Sequence, residues 1–589
     1  MSYHALSGQR SMGQLLRYFF SILAPERKYY ILAIIYGLGI SVLSLATPVS
    51  VQMLINTIAN TGLTAPLIAL SVTLFVLLLF AGLLNALRIH LMDLFARRFY
   101  ARMVSEISLR AIYALNPFFD DNSKGPLFNR YFDIVIVLKS VPNLLVGGFT
   151  IVLQAVVGFV LVSLYHPLFL VFNLVIILLV WLTWMIWGRR AIRSAVDLSN
   201  RKHATAAWLE GLAASNGFFK TERHIDEALE RTDSVTNDYI RCHERHFRHH
   251  FSQTLCFLFI YAAGSAALLG LGGWLVIRGE LSLGQLVAAE LVLSVVLFGI
   301  AQLGIYLNYL YDLSAAIDEL SLFDDVEQEA PSRDEEALTG DASLAFVSAT
   351  GESRGMEATL DFTIPSGARV LARAENHNLQ RLFTNFMKAH DTPRGGYIAL
   401  GGTDIRSVKA HNLRRQVIVI DRPNAVEMTI REYLGLSSEG ATIERILTVV
   451  RAVGLEVSIA QLDQGLDTPI ASTGWPLSIT ETMQLKLAAA ILAQPRVLIL
   501  NQIFDVMPVS RLRASFDLLQ EQSATTVIFF SNRHSDLGFE TFLAIARRGQ
   551  TLHSSYEALA AAEKQDFTAD PVSPDQFVDA DRPPASSEG

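Results

Sequence analysis

Five side chains able to hold a metal, Cys242, His243, His246, His249 and His250, fall within one short stretch. On a helix, His243, His246 and His250 share a face at i, i+3 and i+7, and imidazoles so spaced suit zinc or copper. The stretch also interleaves Arg241, Arg245 and Arg248. A basic cytoplasmic helix near lipid headgroups is therefore the preferred reading, and no metal ligand is assigned. Glu290 lies inside an apolar run. An ionisable group at membrane depth is a functional candidate by default: Glu290 either lines a pathway and meets a cationic group, or sits near the outer mouth, wetted or paired with Arg278. Cys242 and Cys256 are the only cysteines, which excludes a disulfide scaffold and a multi-cysteine zinc or iron–sulfur site.

The elements that must position these groups are mostly apolar. Of 589 residues, 51% are hydrophobic and 18% charged, against about 25% charged in an average soluble protein. Mean hydropathy is +0.34. A formal net charge of -8 gives no reason to expect nucleic-acid binding. The apolar excess gathers before residue 325 in six runs of about 20 residues, the length that crosses a bilayer core: Ile31–Ile55, Leu67–Leu87, Leu144–Leu164, Leu168–Trp187, Thr254–Ile277 and Leu286–Leu307. The turns after the first and third runs hold no Lys or Arg, and the turn after the fifth holds only Arg278. The other side carries Arg97, Arg98, Arg102, Arg110, Lys124 and Arg130 after the second run, then Arg189, Arg190, Arg193, Arg201 and Lys202 after the fourth. That bias predicts cytoplasmic termini, with the long cytoplasmic connections continuing the membrane helices. Arg88, His90 and Asp93 are expected to mark the second span's emergence into the cytoplasm, and Asn85, Gln302 and Asn308 to bond between helices.

Residues 1–25 read as an interfacial helix region rather than a cleaved signal, 26–325 as the six-span domain and 326–343 as an acidic linker. From 344 to 562, the β-rich runs 368–372, 416–420, 496–500 and 526–530 alternate with helical stretches, which predicts parallel strands with crossover helices. The acidic stretch 563–589 has the composition of a disordered tail.

Six spans with long cytoplasmic helices ahead of one α/β domain resemble a half-size ATP-binding cassette (ABC) exporter over about residues 11–560. In the membrane half, Phe118, Phe119 and Asp120 with Gly125, Leu127 and Arg130 look like the family's first intracellular loop. Glu210, Gly211 and Lys220 look like its second. The resemblance implies that these loops couple to nucleotide-binding domains. The stretch Gly279–Ala288 is similar to peptide- and protein-exporting members.

In the soluble half the frame matches and the chemistry does not. The family's phosphate loop uses glycines to wrap backbone N–H groups around phosphates, a Lys for the β/γ-phosphates and a hydroxyl for magnesium. Here the strand leads into Ala374, Glu375, Asn376, His377, Asn378, Leu379, Gln380, Arg381 and Leu382. Gln380 stands at the Lys position, and Arg381 and Leu382 at the Ser/Thr positions. The Asp-Glu pair that holds magnesium and polarises water corresponds to Asn501 and Gln502. The signature corresponds to Leu477, Ser478, Ile479, Thr480 and Glu481, with Ile479 and Thr480 replacing its glycines. The switch histidine aligns with Asn532, the Q-loop glutamine with Arg422, and the adenine-stacking aromatic with a position near Gly351. So many losses within a correctly spaced frame predict a chain that binds and hydrolyses no ATP; ATP and magnesium would enter only through a competent partner.

The resemblance thus implies a membrane subunit in bacterial inner or plasma membrane lipid. It would be the inactive half of a heterodimeric exporter, with a peptide or protein cargo suggested and a homodimer as the other pairing. The alternative is an ATP-independent scaffold, receptor or regulator within a larger secretion assembly.

Overall fold

A computed structural model describes residues 12–60, 64–115, 125–329, 338–438, 440–522, 524–533, 537–547 and 549–566. The chain divides into two units, before and after the Glu329–Ala330 bond.

The first unit is helical: α1 (Met12–Leu23), α2 (Arg27–Leu43), α3 (Ala46–Asn60), α4 (Thr64–Ile112), α5 (Asp133–Asn143), α6 (Phe149–Ser163), α7 (Pro167–Ala214), α8 (Glu222–Ile277) and α9 (Leu283–Ser321). Six helical stretches are long and apolar enough to cross a membrane, and the long ones carry their spans onward as continuous helix. The apolar stretch of α4 lies wholly on the exterior, whereas nearly half of that of α9 is buried. Phe75, Leu79 and Phe259 are among many large apolar side chains left exposed. Hydrocarbon is the solvent that suits such a surface, because these helices satisfy their backbone groups internally. The protein is an integral, multi-pass membrane protein.

Local chemistry sets the breaks. Pro142 interrupts the ladder of α5, and the chain widens into a π turn at Leu144–Gly148 before α6. Gly147 sits there against Tyr306 of α9 with no room for a Cβ. Pro167 opens α7 behind a His166 cap, and Ser282 with Gln285 forms a capping box on α9.

Three expectations need correction. α1 does not merely lie on a membrane: Ile22 and Leu23 enter the core beside Phe95, Phe99 and Leu320, and the Tyr18 hydroxyl donates to the Leu320 carbonyl at 3.1 Å. Arg88 does not mark an exit into water; it is buried, donating to Thr150 Oγ1 at 2.7 Å and Asn85 Oδ1 at 2.9 Å. Asn85 bonds within its own helix, to Arg88, because residues three or four apart share a helix face, whereas Asn308 bonds Asp312 on its own helix at 3.1 Å and also His246 on α8, as expected.

The second unit is α/β. Its strands are β1 (Leu344–Ser353), β2 (Met356–Ile364), β3 (Arg369–Ala374), β4 (Gly395–Leu400), β5 (Thr403–Asp404), β6 (Val417–Ile420), β7 (Met428–Thr429), β8 (Pro469–Ile470), β9 (Val497–Leu500), β10 (Thr526–Phe530), β11 (Thr541–Ala546) and β12 (Gly549–His553). The main sheet runs β12-β11-β3-β10-β9-β6. The four strands expected from β-rich runs are its parallel neighbours β3, β10, β9 and β6. Every residue of β9 and β10 is buried, as both-face coverage of a parallel sheet requires. The antiparallel sheet β2-β1-β4-β5 went unforeseen, because β1 and β2 follow Gly- and Glu-rich sequence. A helix at Tyr556–Asp566 carries regular structure past Ala562.

Candidate nucleotide site and polar clusters

The candidate nucleotide site lies where β3 and β9 end and the next helices begin. β3 passes into the helix His377–Met387 through Glu375 and Asn376. Asn376 is the N-cap, its Oδ1 accepting from the Leu379 N–H at 3.0 Å, so a first-turn donor of the kind a phosphate would take is used by the chain itself. The Glu375 backbone N–H donates to the Ile545 carbonyl at 2.9 Å, and its carboxylate accepts from the Arg547 N–H at 2.7 Å. Ala374 and Asn378 are half-buried and His377 exposed. Leu379 and Leu382 are fully buried in the core, and Arg381 is engaged in an interaction of its own.

The central contact is an amide pair. Gln380 Nε2 donates to Gln502 Oε1 at 3.0 Å, and Gln502 Nε2 donates back to Gln380 Oε1 at 2.8 Å. Gln380 is buried. Neither amide carries charge, and each satisfies the other, so a bound group would have to break both bonds before making its own. Beside them Asn501 caps the short helix after β9, accepting from the Ile503 N–H at 3.0 Å and donating to the Asp421 carbonyl at 2.9 Å. Gly351 faces this unit's core: a Cβ there would stand 2.5 Å from the Phe386 ring and 2.9 Å from Leu382, leaving no space for an aromatic.

The remaining positions are also internally committed. Asp505 accepts from the Ser531 hydroxyl at 2.6 Å and the Asn532 N–H at 3.1 Å. Arg373 donates to the Ser531 and Asn532 carbonyls, each at 3.3 Å, pairs with Glu563 and bonds the Tyr556 hydroxyl at 3.1 Å. The Arg422 carbonyl accepts from Lys486 Nζ at 2.7 Å. Burial leads the effects that lower the Lys486 ammonium below its ordinary value. Burial, with Lys388 and Arg414 nearby, pushes His390 down to about 3.

At the signature position Ser478 caps the helix Ile479–Ala493. It accepts from the Glu481 N–H at 3.3 Å, while Glu481 accepts from the Ser478 N–H at 2.8 Å and hydroxyl at 2.7 Å. Burial opposes ionisation of Glu481, but bonds from Ser458 and Ser478 outweigh it and hold the carboxyl below its usual range. Leu477 is buried and Thr480 half-buried, whereas Ile479 and Trp475 are exposed.

In the first unit, Phe118, Phe119 and Asp120 lie outside the described residues. Gly125 opens a 3-10 turn, Gly125–Phe132, whose Asn129 pairs with Glu210 and whose Arg130 pairs with Glu319. The two loop sequences are thus brought together. Gly211 and Lys220 are exposed. Glu290 is half-buried, its Oε1 accepting from the Ser294 hydroxyl at 3.3 Å and its Oε2 buried without a partner. The expected alternative pairing with Arg278 does not form: Arg278 stacks on Trp274 at 4.1 Å.

The histidine stretch faces protein rather than headgroups at two of its positions. His246 is buried with Nδ1 3.0 Å from the Ser194 hydroxyl, and both His246 and His250 meet the Tyr311 ring edge-on. The Tyr311 hydroxyl donates to Gln253 Oε1 at 2.6 Å. Sequence reasoning missed a different cluster, Asp133, His203 and Glu319. No signal could have found it, because its members come from three helices separated by long stretches of chain.

Comparison with known proteins accords with this architecture. Residues 30–210 match the ABC transporter transmembrane region. The chain is 24% identical over 574 residues to the ABC multidrug transporter mdr2 of Aspergillus fumigatus, covering 93% of this chain and 71% of that protein. It is 20% identical to the leukotoxin translocation ATP-binding protein LktB of Mannheimia haemolytica, covering 92% and 78%. A bacterial Atm1-family ABC exporter solved with ATP bound superposes with a TM-score of 0.77 at 17% identity, over 95% of this chain and all of that one. Residues 30–210 are therefore similar to the transmembrane region of ABC transporters, and the chain as a whole has the fold of an ABC exporter.

Proposed function

We propose that this chain is the ATPase-silent half of an ABC exporter, working beside a second half-transporter that supplies the competent phosphate loop. The observation that carries this reading is the reciprocal Gln380–Gln502 amide pair. It occupies the two positions where the resemblance calls for the phosphate-binding Lys and the water-polarising Glu. An amide provides neither a cation for the β/γ-phosphates nor a base for the attacking water. A charge-assisted phosphate contact contributes about 1.5–3 kcal/mol, so losing the Lys together with the glycine cradle weakens ATP binding by orders of magnitude. The packed position of Gly351 and the Asn376 cap support the same conclusion.

The exposed apolar pair Trp475 and Ile479, flanking Ser478, supports a partner domain facing the signature. Such a pair of halves holds at most one hydrolytic site. The chain then resides in the plasma or bacterial inner membrane with both termini cytoplasmic. For cargo, the names of relatives span a multidrug transporter, a β-(1→2)glucan exporter and a leukotoxin translocator; with the Gly279–Ala288 stretch, we favour a peptide or protein.

The test is affinity purification of the tagged full chain from mildly solubilised native membranes, followed by ATPase assay of what is recovered. Co-purification of a half-transporter with an intact phosphate loop, whose activity is lost when that partner's loop is altered, supports the proposal. Recovery of the chain alone with steady ATP turnover overturns it. Recovery with proteins that lack ATPase motifs replaces it with the scaffold or receptor reading.

A further inference from the structure

Helices α5, α7 and α9 meet at a polar cluster that the exporter reading does not use. Asp133 opens α5, His203 lies late in α7, and Glu319 near the end of α9. Asp133 and Glu319 are buried essentially completely. One donor atom from each of the three residues lies within 4.8 Å of the other two.

Two features set this cluster apart from a closed ion-pair network. First, the outer oxygens are held from outside: Lys202 Nζ donates to Asp133 Oδ1 at 2.8 Å, and Arg130 pairs with Glu319 Oε2. Those bonds leave Asp133 Oδ2, 2.6 Å from His203 Nε2, and Glu319 Oε1 as the oxygens not held by a cation. Second, Glu319 Oε1 is fully buried and makes no hydrogen bond of normal geometry, with the Ser199 hydroxyl, one turn before His203 on the same helix, as the donor beside its carboxyl. A buried acceptor left unmade costs about 1–3 kcal/mol, more when charged, so the orphaned carboxylate oxygen points to a missing ligand.

We infer that Asp133, His203 and Glu319 form a divalent transition-metal site, of zinc type, that ties α5, α7 and α9 together. One imidazole and two carboxylates suit zinc better than a soft ion, which would seek thiolates, or calcium, which would seek oxygen alone. Donors about 2.0–2.2 Å from one zinc ion in tetrahedral geometry lie about 3.3–3.6 Å apart, so closing the site needs shifts of about an ångström, drawing the carboxylates together and opening the contact between Asp133 and His203. Arg130 and Lys202 orient the carboxylates as outer-shell partners do around metal ligands. His203 binds through Nε2 as the neutral ring with its proton on Nδ1; the metal takes the place of the hydrogen shared with Asp133 Oδ2. Lys202 is 43% exposed, so its charge can move into water as the divalent ion enters. Ser199 Oγ, or a water held by it, fills the fourth position.

The test uses the full-length chain in detergent, stripped with a chelator and titrated with cobalt(II). The expected result is one equivalent bound with visible d–d absorption, displaced by zinc, and a higher thermal midpoint with zinc. His203→Gln keeps a polar partner for Asp133 but removes the ring nitrogen. It is expected to weaken cobalt binding at least about 10-fold and abolish the zinc-dependent rise. Glu319→Gln is expected to do the same if it folds, and His246→Ala, in the separate histidine stretch, to leave binding unchanged. Absence of cobalt binding in the wild-type chain, or binding that survives His203→Gln, or binding lost with His246→Ala and retained with His203→Gln, would each overturn the inference.

Discussion

The candidate nucleotide site of the second unit and the buried acid cluster of the first are satisfied in opposite ways. At the candidate nucleotide site every key polar side chain has found a partner within its own unit: Gln380 with Gln502, Asn376 with the Leu379 N–H, Asp505 with Ser531 and Asn532. In the helical unit, Glu319 Oε1 and Glu290 Oε2 are buried without a hydrogen bond of normal geometry. A satisfied site gains little from a ligand, since each new bond replaces an old one, whereas an orphaned buried acceptor gains the whole bond. The place where the fold leads one to look for a ligand is the place least in need of one.

The hardest test of that contrast is Arg130→Ala. It strands the Glu319 carboxylate, which is fully buried, and breaking one side of a buried pair costs about 3–5 kcal/mol. The thermal midpoint of the full chain in detergent should fall by several degrees; an unchanged midpoint would mean the pair is not buried as described.

Acid should act on the second unit through His390. Its folded value, about 3, lies below the ordinary 6.5. Unfolded chain therefore takes a proton that the folded chain refuses as pH falls from 6.5, and stability declines through that window by at most about 1.4 kcal/mol per pH unit, ending near pH 3. Replacing His390 with Asn should flatten the fall in thermal midpoint between pH 6.5 and 5 relative to wild type; identical slopes would show His390 to be solvated.

Gln380→Ala removes half of the amide pair and leaves Gln502 without its partner, at a cost of about 1–3 kcal/mol. Because the glycines of the cradle are missing as well as the Lys, neither this variant nor Gln380→Lys alone should bind ATP measurably by equilibrium dialysis. ATP binding gained by Gln380→Lys alone would show that the remaining cradle is competent, and the contrast between the units would fail.

The smallest effect is expected at Ser478→Ala, which removes the capping box with Glu481. It should lower stability by about 1 kcal/mol and leave partner recovery unchanged. Loss of the partner instead would give Ser478 a role in the interface.

Much of this was readable before any coordinates. The six apolar runs, their flanking charges and the β-rich runs that became β3, β6, β9 and β10 are local patterns, and the spacing of 24 residues from Leu477 to Asn501 is a property of the chain alone. Legibility failed for side chains whose partners come from elsewhere. Arg88 looked like an exit marker until Thr150 and Asn85 enclosed it, and the histidine stretch looked basic and solvated until Tyr311 and Ser194 met it.

Composition and periodicity by themselves determined that this chain spans a membrane and carries an α/β domain, because hydrophobic length and strand pattern act over adjacent residues. The resemblance to ABC exporters, not composition or periodicity, named the residues standing where phosphate chemistry would need others. Tertiary structure alone decided that Gln380 and Gln502 hold each other across 122 positions, and that Asp133, His203 and Glu319 share one buried point. Such contacts arise when helices and sheets pack, and the energy of a buried polar group depends on which atoms packing brings within bonding distance.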